Sequence, residues 1–323
     1  MKTKIAVVMP VYNAEGFLRG SLDSILNQEI SDIKVICIND KSQDRSLEIL
    51  KEYEQKDDRV VVLNNEENKG AGKTRNVGLN YIFDNLDVEY ISFVDADDKV
   101  EPNTFSKTYE EAKKSDADIV NFNFLPSTYW SYKTEANTDP ITYEGNCIEA
   151  VFDHREFYTF VLCWSKIYKA ELLKDLRFSG QKFFEDGSFA YKVLPRAKKM
   201  VVIPDVLYYY NIENPESTCG KIDEELRLKS IFKTMKSTME DWKSLNIYNK
   251  YKNRFISHIL LYTSMVCPNA FVGSYADKLN ECLDIDVNNE DFIKNLPEET
   301  QDFISKMTIE TTKEEIKDGR VTE

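Results

Sequence analysis

The run "ISFVDADDKV" over Ile91–Val100 carries an apolar stretch into three carboxylates, Asp95, Asp97 and Asp98, within four positions. In extended backbone, side chains two apart share a face, so if the strand continues Asp95 and Asp97 point the same way. Two unit charges some 6–7 Å apart, at an effective dielectric near 20, repel by roughly 2–3 kcal/mol. Such a cluster needs either a fully wet site or something that offsets the charge. A second acid pair, Glu185 and Asp186, stands in "FFEDGSFAY", where it follows a loop and opens an amphipathic helical pattern. Helix capping alone explains acids at such a place. A rigid helix start is also where a general base can be held within reach of a hydroxyl.

The elements that must position these acids alternate. "KIAVVMPV", "IKVICIN", "RVVVLNN" and "EYISFVD" are short apolar runs rich in β-branched residues, the composition of strands in a parallel sheet covered on both faces. Between them lie helical patterns. "AEGFLRGSLDSILNQ" puts Phe17, Leu18, Leu22, Ile25 and Leu26 on one face, and "SQDRSLEILKEYEQ" and "GAGKTRNVGLNYIFDN" follow. This alternation predicts a doubly wound α/β unit, in which ligands bind beyond the carboxyl ends of the strands. Those ends carry "PVYN", "NDKSQD", "NNEENKG" and "DADD".

Further along, a helix in "NTFSKTYEEAKKS" leads to a strand, "ADIVNFNFL", and 126–146 reads as loops and a hairpin. Helical "DGSFAYKVLPRA" precedes two strands, "KKMVVIP" and "VLYYYN". After about Ser217 only helical spacing remains, in "KIDEELRLKSIFKTMKSTMEDWKSL", "YNKYKNRFISHILLYTSMV", "YADKLNECL", "EDFIKNL" and "EETQDFISKM". The expected division is an α/β domain over 1–218 and an all-helical region over 219–323.

Hydrophobic residues at 42%, charged residues at 30% and a mean hydropathy of -0.48 describe a soluble globular chain. The formal charge of -14 argues against nucleic acid as a partner and against broad attraction to anionic lipid. Six scattered cysteines with no C-x-x-C pair point to reduced thiols in a cytosolic protein. The opening "MKTKIAVVMP" is too short for the apolar core of a signal peptide and reads as a first strand. No apolar stretch approaches the 18 or so residues of a membrane span, so peripheral contact at the inner face is the only membrane association left open.

"VVMPVYNAEGFLRGSLDSILNQ", "NDKSQDRS", "NKGAGKTRNVGLN" and "FVDADD", at intervals of about thirty residues, resemble the family 2 glycosyltransferases of the GT-A fold. The likeness continues through "WSKIYKAELLKDLRFSGQKFFEDGSFAYKVL" and "LYYYNIENPEST", covering about 1–218. It implies a Rossmann-like, mixed, mostly parallel sheet flanked by helices. It also implies an inverting, metal-dependent transfer from a nucleotide-sugar donor, UDP-linked in the first instance, to a carbohydrate or polyol hydroxyl in surface-glycan synthesis.

Carried over residue by residue, the resemblance places Pro10, Val11, Tyr12, Asn13 and Glu15 on the donor. The backbone N–H groups of Pro10–Asn13's turn would be open to a base edge or an anion. Asp40 would accept from a uracil-type N–H, and Asn68, Lys73 and Arg75 would lie near the uridine and diphosphate, with Gly70 and Gly72 permitting close backbone approach. Asp95 and Ala96 would meet the nucleoside side. Asp97 would hold Mn²⁺ or Mg²⁺, which suit oxygen ligands, while Asp98 orients the loop. On that reading the offset to the acids' repulsion arrives with the substrate.

Asp186, beside Glu185, maps to the general base. Trp164, Lys166 and Ser217 map near the acceptor or diphosphate; a core position for Trp164 is the competing reading. The chain departs from the family pattern at Asn39 and Lys41, where "NDKS" replaces D-D-G-S, and at Asn211, where a basic residue is usual. His154 and His258 have no ligand-spaced companions and read as structural. A sugar-nucleotide pyrophosphorylase would need a Gly-rich loop after the first strand, and "PVYNAEG" is not one. A non-catalytic assembly subunit is the remaining alternative, and pairing of two copies through the C-terminal helices stays open.

Overall fold

The computed structural model of the chain describes residues 2–126, 139–153, 158–214, 223–267, 294 and 301. The chain forms two compact units, Met1–Gly220 and Lys221–Glu323. The first is built on β1 (Thr3–Val11), β2 (Ile33–Asn39), β3 (Val60–Asn64), β4 (Val88–Phe93), β5 (Lys99–Val100), β6 (Ile119–Pro126), β7 (Ile141–Glu144), β8 (Lys166–Lys169) and β9 (Lys199–Tyr210). These form one sheet in the order β3-β2-β1-β4-β8-β6-β9-β5, with β7 paired to β9. The long ladders, β1 with β2 and β4, β2 with β3, and β6 with β9, are parallel. The shorter ones, β8 with β4 and β6 and β9 with β5 and β7, are antiparallel.

The continuous apolar runs are explained by burial on both faces: Ile5–Met9 and Val35–Ile38 have no exposed surface. The covering helices are α1 (Leu18–Leu26), α2 (Ser46–Lys56), α3 (Ala71–Asn85) and α4 (Thr104–Ser115), followed by the short α5 (Glu149–Asp153), α6 (Tyr158–Val161) and α7 (Ala170–Leu173), and then α8 (Glu185–Val193). α1 buries Leu18, Leu22 and Ile25 as its spacing predicts, while Phe17 and Leu26 at its two ends are half-buried. α3 lies close on the sheet because position 78 is glycine. A Cβ there would stand 2.6 Å from Val8 and 2.9 Å from Ile38.

Two expectations change. "KKMVVIP" and "VLYYYN" are one strand, β9, despite Pro204. Proline lacks a ladder donor, and the β6–β9 register shifts on either side of Asn123 to accommodate it, with Asn123 Nδ2 donating to the Pro204 carbonyl at 3.0 Å. The hairpin expected over 126–146 falls largely outside the described residues, and its described strand, β7, pairs with β9.

The second unit begins with the helices Glu224–Ser244 and Tyr248–Val266. Asp223 caps the first, its side chain accepting from Leu226 N–H at 2.8 Å. Trp242 is fully buried against Phe255 and Tyr251. Burial pushes His258 down to about 3, so it is a neutral core side chain. The later helical segments, apart from Lys294 and Gln301, and His154 lie outside the described residues. Among the described residues no helix is long and apolar enough to cross a membrane. Cys37, Cys147, Cys163 and Cys267 are buried and free.

Candidate active site

The β1–α1 and β2–α2 loops are stitched together at the carboxyl edge of the sheet. The N–H groups of Asn13, Ala14 and Glu15 donate to Ser42 Oγ (3.1 Å), Ser46 Oγ (2.9 Å) and Asp44 Oδ2 (2.9 Å). In return Asn13 Oδ1 accepts from Gln43 N–H and Glu15 Oε2 from Arg45 N–H. The open N–H groups expected beyond Pro10 and Val11 are therefore already used at Asn13, because the serines and Asp44 of the neighbouring loop reach them first. Tyr12 is left 48% exposed at the strand end, an aromatic face open to a planar ligand.

Asp40 is 3% exposed. Its Oδ1 accepts from Asn65 Nδ2 (2.8 Å) and Lys69 N–H (2.9 Å), and its Oδ2 from Gly70 N–H (2.9 Å). The carboxylate expected to face a base thus holds the β3–α3 loop, at the point where Gly70 takes φ +79°. Asn68, exposed, accepts from Gly70 N–H at 3.2 Å, and Lys73 is exposed in the first turn of α3 with its stem over Gly180. Lys41 takes φ +63°, the left-handed conformation glycine would adopt more cheaply. Asn39 ties the same loop, donating to Asn64 Oδ1 (2.6 Å) and accepting from Ser42 N–H (3.3 Å).

The three acids after β4 go separate ways. Asp98, 1% exposed, accepts from Tyr208 Oη (2.6 Å) and from Asn211 N–H (2.7 Å), so it orients the loop as expected. Burial, with Asp95 and Asp97 nearby, holds its carboxyl well above the usual range. Asp97 Oδ2 accepts from Asn214 Nδ2 at 2.7 Å, and desolvation pushes its carboxyl up. Asp95 Oδ1 accepts from Arg75 Nη2 at 2.7 Å, and Ala96 beside it is buried.

Arg75 joins this strand end to α8. Its Nη1 donates to Glu185 Oε1 (3.1 Å) and to Asp186 Oδ1 (2.9 Å), and the side chain is 3% exposed. This arginine is the internal counter-charge of three carboxylates. That corrects the expectation that the acids' repulsion is offset only by what arrives with the substrate. The residue type allows it, since a guanidinium forks to several carboxylates at once, but sequence spacing does not bring residue 75 to residues 95, 185 and 186. Burial and the Asp186 charge raise Glu185 to about 7, against the pull of Arg75.

α8 enters this site under constraint. Phe184 is buried in left-handed backbone, φ +58° and ψ +27°, unusual for an aromatic residue. Glycine is required at 72, where a Cβ would lie 2.7 Å from the Ser179 carbonyl and 3.2 Å from Glu185 Cγ. Asn76 donates to the Phe178 carbonyl and accepts from its N–H, at 2.9 and 2.8 Å, fixing α3 to the segment before α8. Trp164 resolves to the core reading. It is 4% exposed and stacks on Tyr208 and Tyr210, with ring centroids 4.4 and 5.6 Å apart. Lys166 is buried too, donating to the Leu162 carbonyl (2.7 Å) and Ser165 Oγ (3.0 Å), and burial pulls it down to about 7. Neither is presented to a ligand as it stands. Ser217 lies outside the described residues.

The site so assembled carries a pair of strand-end acids and a pair of helix-start acids around one arginine. The family model for glycosyl transferase family 2 matches residues 6–176. The chain belongs to that family. It is 34% identical over 217 residues to glycosyltransferase GlyA of Streptococcus pneumoniae, covering 65% of this chain and 30% of GlyA. It is 32% identical over 221 residues to the uncharacterized glycosyltransferase EpsJ of Bacillus subtilis, covering 66% and 62%. The poly(ribitol-phosphate) beta-glucosyltransferase of Bacillus spizizenii is 32% identical over 223 residues, 65% of this chain and 32% of that protein. The chain spans less than two thirds of the length of each of these relatives.

Among solved structures, S. aureus TarS 1–349 in complex with UDP is similar with a TM-score of 0.73 and 21% identity, over 98% of this chain and 92% of that one. The mannosyltransferase PcManGT from Pyrobaculum calidifontis, in complex with GDP-Man and Mn²⁺, is similar with a TM-score of 0.56 and 14% identity, over 98% and 88%. The fold of this family 2 member is the GT-A fold, a sheet of mostly parallel strands flanked by helices.

Two residues in contact with these acids are not legible in the sequence: Asn214, on Asp97, and Tyr208, which donates to Asp98 and accepts from Asp95 N–H at 3.2 Å. Both lie in or just after β9, and nothing in their spacing ties them to the acids. Among the described residues no group of three or more His, Cys, Asp and Glu side chains could hold a metal. A cation that keeps several waters and takes the rest of its ligands from phosphates needs only one or two carboxylates. Asp97 fits that requirement, as a half-buried oxygen donor whose negative form is disfavoured by desolvation and would be favoured by a cation.

Proposed function

We propose that this chain is an inverting, metal-dependent glycosyltransferase that moves a sugar from a UDP-linked donor to a hydroxyl of a carbohydrate or polyol acceptor in surface-glycan synthesis. The observation that carries the reading is the convergence of Asp95, Asp97, Glu185 and Asp186 at the carboxyl edge of the sheet, with Arg75 bound to three of them. UDP in the TarS complex supports the donor class, and a relative that is a poly(ribitol-phosphate) beta-glucosyltransferase supports the acceptor class. Four buried, free cysteines support a cytoplasmic location, to which we add peripheral contact with the inner face of the membrane. We also assign the catalytic domain to 1–218 and the helical region to 219–323, a division supported by the two compact units.

On this reading the strand-end loops hold the donor: Pro10, Val11, Tyr12, Asn13 and Glu15 on one side, Asp40, Asn68 and Lys73 on the next, Asp95 and Ala96 at the centre. Tyr12 supplies an exposed ring against the base. Asp97 would hold Mn²⁺ or Mg²⁺, and the cation would supply Lewis-acid stabilisation of charge on a diphosphate leaving group. Asp186 takes the acceptor hydroxyl's proton as that oxygen attacks the anomeric carbon and the bond to the diphosphate breaks. Arg75 and the Cys163 N–H hold the Asp186 carboxyl group in one orientation, through Oδ1 and Oδ2. Holding both substrates in line supplies much of the rate.

A second assignment of the base has its own support. Glu185, raised to about 7, sits where proton uptake near neutrality is most efficient. Transfer and donor-hydrolysis assays with UDP-sugars and Mn²⁺ test both. Asp97→Asn and Asp186→Asn are expected to abolish turnover in folded protein. Loss in Glu185→Gln with retention in Asp186→Asn would move the base to Glu185. Full turnover in all three would end the catalytic reading.

A further inference from the structure

Lys166 opens β8 in the middle of the sheet, its backbone anchored by pairing with Asn121 on β6 and by Ser92 Oγ, which donates to its carbonyl at 3.0 Å. Its side chain is 1% exposed and turns back to the Leu162 carbonyl at 2.7 Å. That carbonyl belongs to the Leu162–Cys163 peptide. The N–H of the same peptide donates to Asp186 Oδ2 at 3.3 Å. The carbonyl of Cys163 is held in turn by Tyr168 Oη at 3.1 Å, so this peptide and the next are both fixed to β8.

We propose that Lys166 is a positioning residue for Asp186, acting through the Leu162–Cys163 peptide that it grips by the carbonyl and that grips Asp186 by the N–H. The inference rests on the reading of Asp186 as the general base. Three physical effects follow from the geometry. The Lys166 Nζ donor fixes the plane of the peptide relative to the sheet, and so fixes the direction of the N–H. A donor on a peptide oxygen polarises the amide, and hydrogen bonds in such a chain strengthen one another by roughly 10–30%. With Arg75 on Oδ1 and this peptide on Oδ2, the carboxylate is held from both sides by groups anchored on different elements, α3 and β8. Burying a lysine is costly unless it is fully hydrogen-bonded, and a methionine would fill the same space without that cost. A role through the peptide gives the buried amine a use.

The test uses the full chain labelled with ¹⁵N-cysteine, together with steady-state kinetics on the UDP-sugar that the chain hydrolyses or transfers with Mn²⁺. In the wild type the Cys163 amide proton is expected downfield, as for a donor to a carboxylate, and Asp186→Asn should move it. Lys166→Met is expected to move the same resonance upfield, to lower kcat by about tenfold, of the order of one lost hydrogen bond, and to leave the donor KM within about twofold. Should Lys166→Met not fold, Lys166→Leu, which also removes the donor, takes its place. A Cys163 amide at its random-coil position in the wild type would overturn the proposal without any variant. So would an unmoved resonance and unchanged kcat in a folded Lys166 variant, whatever its thermal stability. If Asp186→Asn keeps full turnover, the base assignment fails on its own. If that variant is inactive while the Lys166 variant matches wild type, only the positioning role fails.

Discussion

Arg75 Nη1 and Asp186 Oδ1 stand 2.9 Å apart across a sequence separation of 111 residues, and the same guanidinium reaches Asp95 at 2.7 Å through its other terminal nitrogen. One buried cation therefore ties the end of the central strand to the start of α8. The acids that would hold the donor and the acids that would serve the acceptor are held at a common distance by a residue of the chain itself.

Replacing that cation should be severe. Arg75→Leu leaves Asp95, Glu185 and Asp186 without their counter-charge in a part-buried site, and removing one partner of a buried pair costs about 3–5 kcal/mol. Urea unfolding is expected to show a loss of that size at pH 8. Arg75→Lys, which keeps the charge but not the fork, should recover more than half of the stability while turnover stays low, because a single ammonium cannot hold both strand end and helix start. Equal stability of Arg75→Leu and wild type would remove the arginine from this role.

Glu185 makes the stability depend on pH in a stated direction. Its carboxyl is raised from 4.5 to about 7, so the folded state binds the extra proton between those values and stability is lost as pH rises through the folded value. Glu185→Gln removes that loss. The variant should be more stable than wild type by roughly 2 kcal/mol at pH 8, since each tenfold change in proton affinity is worth about 1.36 kcal/mol and part is given back with the Arg75 contact. The difference should vanish near pH 4.5 and below. Thermal midpoints of both proteins across pH 4–8 measure it, and a difference that grows toward acid pH would contradict the assignment.

Asp97 is where a divalent cation should act. With UDP present, adding Mn²⁺ to the wild type should raise the thermal midpoint beyond the effect of UDP alone, by about 2.7 kcal/mol of stabilisation at a hundredfold excess over the dissociation constant. In Asp97→Asn the increment should disappear. Without ligands the variant should be as stable as wild type or more so at neutral pH, because desolvation disfavours the native carboxylate. An undiminished Mn²⁺ increment in the variant would place the cation elsewhere.

Lys41 occupies left-handed backbone at φ +63°. Lys41→Gly relieves a conformational cost of about 1–2 kcal/mol and adds about 0.5–1 kcal/mol of unfolded-state entropy, so the net gain should be up to about 1 kcal/mol. Denaturant midpoints would register it. A clear loss of stability would mean that the lysine stem contributes packing that outweighs the strain.

The fold was legible in the sequence because its signals are local. A doubly buried strand must be apolar along its whole length, and an amphipathic helix must repeat near 3.6, so β1–β4 and α1–α4 follow from their own residues. The fusion of two predicted strands into β9 was not legible, since Pro204 ordinarily ends a strand and is tolerated here only because β6 shifts register beside it.

The same division holds in the site. The sequence by itself determined which residue types reach the carboxyl edge of the sheet: Tyr12, Asp40, Asp95, Asp97, and the acids that open α8. Only the tertiary structure decided what each faces. It turned the N–H groups of Asn13 to Glu15 toward Ser42, Ser46 and Asp44, closed Asp40 onto the β3–α3 loop, set Asn214 on Asp97, and placed Arg75 among three carboxylates. The physical reason is range. Propensity and hydrophobic periodicity act over a few residues along the chain, whereas hydrogen bonds and buried charge pairs are chosen by distance in space, between groups whose sequence separation carries no information about whether they meet.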